Sequence, residues 1–121
     1  MKKKEEIHYH EAIKTLYKIQ EYELTIAEAE IMHQESKRAE LRINMLREKV
    51  SALKACVPEE IINRYERFKP NNLPAVVDMI HGNKCSSCHV SISVGNLPRM
   101  QADKIAPICQ NCGKYIYVWK E

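Results

Sequence analysis

From Met1 to Val57 the chain contains neither glycine nor proline, and its apolar positions recur at helical intervals. The recurrence is most regular over residues 39–57. There Ala39, Ile43, Leu46, Val50, Leu53 and Val57 are separated by alternating steps of four and three, the apolar seam of a coiled coil. In the first half, Ile13 and Leu16, then Leu24, Ala27 and Ile31, carry stripes that do not stay in one register with the second half. A polar run, His33-Gln34-Glu35-Ser36-Lys37-Arg38, divides the two. It holds no Gly, Pro or Asn-Gly turn signal. The pattern therefore favours one helix of about 50 residues, about 75 Å long at 1.5 Å rise per residue. A short antiparallel hairpin with its tip in the polar run is the alternative.

Pro58-Glu59-Glu60 opens the next element, because proline suits the first turn of a helix and acids suit its dipole. Ile61, Ile62, Tyr65 and Phe68 continue it at helical spacing, up to the turn-rich Pro70-Asn71-Asn72. Ala75-Val76-Val77-Asp78-Met79-Ile80 then reads as a strand, and His81-Gly82-Asn83 as a turn. The expected organisation is a coiled-coil helical region over 1–57, a short helix and linker over 58–74, and a cysteine-bearing β module over 75–121. The fold class is α plus small β: a long N-terminal coiled-coil helix followed by a C-terminal zinc ribbon.

That last term comes from the cysteines. Cys85-Ser-Ser-Cys88 and Cys109-Gln-Asn-Cys112 form two CxxC pairs with twenty residues between them, the spacing of a structural zinc site. A two-residue gap lets both sulfurs of a turn reach one ion, and two such turns complete a tetrahedron. Gly113 suits the tight bend after the second pair. With four thiolates placed, no coordination position remains for water, so the site reads as structural, with metal binding coupled to folding. The same residues admit rivals. Cys85-Ser-Ser-Cys88-His89 is formally a haem-attachment signature, but that reading leaves Cys109 and Cys112 unexplained. A tetrathiolate iron site and a redox switch share the ligand set. His89 is expected to be part of the knuckle rather than a ligand, Cys56 a buried or half-buried thiol, and His8 and His10 solvated helix residues.

The formal charge of +3 is mild, and names no partner. Residues 84–121 carry Lys84, Arg99, Lys104, Lys114 and Lys120 against Asp103 and Glu121, a surplus of three that a zinc tetrathiolate nearly cancels. Tyr115, Tyr117 and Trp119 alternate along a strand and could stack on bases; they could equally cover the module's core. No Ser/His/Asp set, phosphate-cradling glycine loop or open metal site is present, so no enzyme is expected. No stretch reaches the roughly 20 apolar residues of a membrane span, and the start lacks a signal-peptide pattern, so a cytoplasmic location is expected.

The stretch Val57-Pro58-Glu59-Glu60-Ile61-Ile62-Asn63-Arg64-Tyr65-Glu66-Arg67, with Ala75-Val76-Val77, Cys85-Ser-Ser-Cys88-His89 and Ile108-Cys109-Gln-Asn-Cys112-Gly113-Lys114-Tyr115-Ile116-Tyr117, resembles the bacterial zinc-ribbon family with an N-terminal coiled coil. The match covers about half of the chain. It implies a non-enzymatic zinc protein whose coiled coil engages other proteins, with links to flagellar or type III secretion assembly and to the nitrogen-type sigma factor. Nucleic-acid binding is the second function it implies. Family members usually carry a much longer helical hairpin than the 57 residues before Pro58 provide. An unpaired seam over residues 39–57 would expose apolar surface, so self-association is also expected.

Overall fold

The computed structural model describes residues 8–32, 36–68 and 74–119. The helical half does not form one long rod. It folds into two helices, α1 (Tyr9–Met32) and α2 (Lys37–Lys54), that run antiparallel. Ion pairs set the register: Arg47 reaches Glu30 at 3.1 Å and Lys54 reaches Glu23 at 3.5 Å. Ser36 is the N-cap of α2, its hydroxyl accepting from the Ala39 N–H at 3.2 Å. The expected single helix is thus replaced by the hairpin, and the reason is in the stripes. When the chain doubles back, Ile13, Leu16, Ile19 and Ile26 of α1 cover the seam of residues 39–57, which a single rod would leave bare.

The seam of residues 39–57 finds its partner inside the chain. Ile43, Val50 and Val57 are buried, with Leu46 and Leu53 packed beside them, in the same cluster as Ile13, Leu16, Ile19 and Ile26 of α1. Each fully buried aliphatic side chain contributes about 1.5–3 kcal/mol, so closure within the chain removes most of the expected drive to pair along this seam. The Leu24–Ala27–Ile31 stripe is the part left uncovered, with Leu24 43% and Ile31 76% exposed.

Helix α3 (Glu59–Phe68) follows Pro58, whose carbonyl accepts from the N–H groups of Ile61 and Ile62. Its Ile61 and Tyr65 are fully buried against the hairpin. The Tyr65 hydroxyl donates to Glu23 at 2.5 Å, and Lys54 bridges Glu23 and Glu66, so one small polar network ties α1, α2 and α3 together.

The expected strand forms as β1 (Val76–Ile80), in the centre of a three-stranded sheet. It pairs antiparallel with β2 (Lys84–Cys85) after the His81–Asn83 turn, and parallel with β3 (Tyr115–Tyr117). Side chains alternate across this sheet as strand geometry requires. Val76 and Tyr115 enter the hairpin core; Val77, Ile116 and Val118 enter a second core with Cys85, Ile92, Met100 and Cys109. The sheet therefore has helices on one face and the cysteine knuckles on the other. A one-turn helix, α4 (Leu97–Gln101), lies between the two CxxC pairs.

Gln20 joins α1 to the sheet. Its side chain is buried; Oε1 accepts from the N–H groups of Ala75 and Val76 at 2.7 and 2.8 Å, and Nε2 donates to the Val76 carbonyl at 2.9 Å. A single side chain thus serves as the neighbour that the start of β1 lacks on that side.

Candidate metal centre

Two loops of the same design bring the four cysteines together. In the first, the Cys85 N–H donates to the Val90 carbonyl at 3.0 Å and the His89 N–H donates back to the Cys85 carbonyl at 2.8 Å. In the second, the Cys109 N–H donates to the Lys114 carbonyl at 2.9 Å and the Gly113 N–H donates to the Cys109 carbonyl at 2.8 Å. The residue after each second cysteine is left-handed, with φ of 64° at His89 and 78° at Gly113. This bend folds each loop so that its two sulfurs face the same side. His89 is therefore the counterpart of Gly113, an exposed knuckle residue as expected, and not one of the clustered ligands.

All four sulfurs lie within 4.8 Å of one another. Across the knuckles, Cys85 Sγ is 3.7 Å from Cys112 Sγ, and Cys88 Sγ is 3.5 Å from Cys109 Sγ. A disulfide would require about 2.05 Å, so these are separate thiols. Ligands held about 2.3 Å from a central ion at tetrahedral angles sit about 3.8 Å apart, and the cross-knuckle separations fit that edge. Cys85, Cys88, Cys109 and Cys112 can hold a metal ion, as their spacing predicts, and among the described residues no other such group forms.

The surroundings prepare unequal thiols. A hydrogen bond from the Asn111 side chain, helped by the Val90 N–H, lowers Cys88 to about 6. Burial pushes Cys112 up to about 12, against the opposing Lys114 N–H; burial likewise raises Cys85, against the N–H groups of Cys88 and Ser87. The Val90–Cys88 and Lys114–Cys112 contacts occupy the same position in the two loops. Cys88 is thus the most readily ionised of these three thiols, and burial makes Cys85 and Cys112 hold their protons longer.

Residues outside the cysteine motif complete the site. Arg64 of α3 donates from Nε and Nη2 to the Gly113 carbonyl at 3.2 and 2.7 Å, holding the second knuckle against the hairpin side. The positive φ of Gly113 is what favours glycine here; a Cβ would approach Arg64 Nη2 to 3.3 Å, a contact that a small shift of the guanidinium relieves. The spacing rule locates the ligands but is silent on Arg64 and on Asn111. The asparagine sits inside the CxxC itself, where an amide able to reach across to the other knuckle was the available signal.

The other candidates divide. Cys56 is exposed just beyond α2, which corrects the expected half-buried thiol; its Sγ lies 3.5 Å from the Ala52 carbonyl. His8 is exposed, but His10 is not a solvated helix residue. Its ring stacks on Trp119 with centroids 4.6 Å apart, its Nε2 is 3.3 Å from the Tyr117 hydroxyl, and its backbone N–H donates to Asp103. Of the residues considered for nucleic-acid binding, the stacking candidate Tyr115 and the basic Lys114 are buried, and Tyr117 and Trp119 pack against α1 and its His10. Lys120 lies outside the described residues. No helix among the described residues is long and apolar enough to cross a membrane. No protein-family model, curated protein or solved structure matches the chain.

Proposed function

We propose that this chain is a zinc-ribbon scaffold without catalytic activity, acting in the cytoplasm as an adaptor between proteins. The observation that carries the reading is the pair of matched knuckles converging four sulfurs on one point. Four thiolates and a dry core behind them suit zinc: the set is closed, offers no position for a reacting water, and holds an ion whose work is folding energy. Val77, Ile92, Met100, Ile116 and Val118 form a small core behind the knuckles, to which a bound ion would add folding energy.

Protein binding is favoured over nucleic-acid binding by charge and by occupancy. From Cys85 to Pro98 and from Ile105 to Gly113 there is no Asp, Glu, Lys or Arg, so the knuckle loops carry no basic cluster of their own for phosphates, and the nearby Arg64 is engaged by the Gly113 carbonyl. The aromatic residues that could stack on bases are engaged within the fold. The uncovered Leu24–Ala27–Ile31 stripe is the surface through which the hairpin would meet a protein, including a second copy. A role in secretion or flagellar assembly follows the family resemblance.

Four measurements test this. Cobalt substitution should give the charge-transfer and d–d bands of a tetrahedral tetrathiolate, and the protein should be isolated with one zinc and no iron per chain; an iron spectrum would overturn the metal assignment. The intact chain should show no salt-sensitive affinity for single-stranded oligonucleotides, while photo-crosslinking from position 24 or 31 should capture a protein. Retention of oligonucleotide that falls steeply with salt would reverse the functional order.

A further inference from the structure

The sheet ends one strand short on the knuckle side. Beyond β2, residues 90–92 run antiparallel to it: Ile92 N–H donates to the Asn83 carbonyl at 2.8 Å, Cys85 N–H donates to the Val90 carbonyl, and Lys84 pairs with Ser91 between them. In such a widely spaced pair, the middle residue turns its own N–H and C=O away from its neighbour. Ser91 therefore presents both groups outward, and alternation along the segment carries the Ser93 N–H to the same side. Among the described residues none of these three groups has a partner. The Ser93 carbonyl, in contrast, is taken by the N–H groups of Asn96 and Leu97.

Sheet edges are ordinarily guarded by lysine, proline or a covering loop. This one is Val90-Ser91-Ile92-Ser93-Val94, β-prone and uncharged, with Val90 44% and Val94 82% exposed. Along it runs a cleft of about 360 Å³, closed by Asn96 and lined beyond the edge by Met100, Ile108, Gln110 and Asn111. Cys109 of the cysteine cluster also lines it, and no Asp, Glu, Lys or Arg does.

We propose that this edge takes an extended, uncharged segment of a partner protein as an added strand. Ser91 N–H, Ser91 C=O and Ser93 N–H supply the ladder. Alternate side chains of the segment enter the cleft toward Met100 and Ile108, and the amides of Gln110 and Asn111 face its far side. The chemistry of the occupant follows from the walls. A glutamate placed there would be desolvated beside the anionic cysteine cluster, a lysine would find no carboxylate to pair with, and a phosphate would meet no cation. Backbone groups spaced as a ladder ask for a strand, whereas a helix has already spent its own. The inference rests on the metal-bound fold, because the edge begins two residues after Cys88.

The test uses the intact, zinc-loaded, ¹⁵N-labelled chain and the capped peptide acetyl-Val-Ser-Ile-Ser-Val-amide. A cobalt spectrum taken first shows whether the knuckles hold metal, so failure of the metal assignment is seen separately. Binding should shift the Ser91 and Ser93 amide resonances and slow their hydrogen exchange about tenfold or more. The same peptide N-methylated at alternate amides, in the phase that faces the edge, should not bind. A peptide with Glu and Lys at the cleft-facing positions should bind at least about tenfold more weakly. Three outcomes would overturn the proposal in metal-bound protein: no shift at millimolar peptide, equal binding of the N-methylated peptide, or protection of Ser91 and Ser93 that grows with protein concentration alone, which would assign the edge to a second copy.

Discussion

Gln20 shows how one side chain can hold two halves of a fold together. Its amide satisfies three buried backbone groups at the start of β1, and each of these left unpaired costs about 1–3 kcal/mol. Gln20→Leu, similar in size, should therefore lower stability by about 3 kcal/mol or more, read as a lower denaturant midpoint at an unchanged slope. An unchanged midpoint would mean that water replaces the amide. The two knuckle bends make a second, paired test. Both residues are left-handed, and at Gly113 an added Cβ would also come within 3.3 Å of Arg64 Nη2. Gly113→Ala should cost about 1–2 kcal/mol for the left-handed backbone, with the Arg64 contact adding to it. His89→Gly should cost nothing, the relief of a strained bend offsetting the freer unfolded chain. Equal losses at the two positions would show that the imidazole, and not the bend, is what His89 contributes.

The elements differ in how plainly the sequence announces them. The seam of residues 39–57, the strand at 76–80 and the two cysteine turns are legible because each is a local pattern with a fixed period or spacing. The reversal between α1 and α2 is not, because it uses none of the turn residues that normally mark one; its only local sign is Ser36, an N-cap inside a polar run. Ser36→Ala should accordingly cost about 1 kcal/mol. The short α4, sitting between the two cysteine pairs, carries no stripe long enough to show a period. Arg64 illustrates the limit further. As one residue on an amphipathic helix it reads as solvated, yet it crosses 49 positions to hold the Gly113 carbonyl. Its removal should loosen the second knuckle without touching a ligand. Arg64→Met should weaken zinc binding by about tenfold in a competition titration with a chelator, in the range seen when groups that orient metal ligands are lost. Unaltered affinity would reduce Arg64 to packing on Tyr115, over whose ring it also lies.

Because the sheet is shared, the metal lobe and the hairpin should not behave as independent bodies. Val76 and Val77 are neighbours in one strand, the first in the hairpin core and the second in the metal-side core. Loss of the ion would free the knuckles and, through β1 and β3, loosen the support under α1. The protons on the thiols decide when that happens. Cys112, raised to about 12, and Cys85, also raised, hold their protons at neutral pH, while Cys88, lowered to about 6, has lost its own. Loading an ion must then displace at least the protons of Cys85 and Cys112. Metal affinity should therefore rise with pH by at least about 100-fold per unit above the Cys88 value, and more steeply below it, where Cys88 too must give up a proton. The sign is fixed: acid favours the protonated, metal-free form. Zinc titrations followed by calorimetry in buffers of different ionisation enthalpy should report two or more protons released per ion near pH 7.5. Release of fewer than two would mean that Cys85 or Cys112 is ionised before the metal arrives, and burial would not raise them as argued.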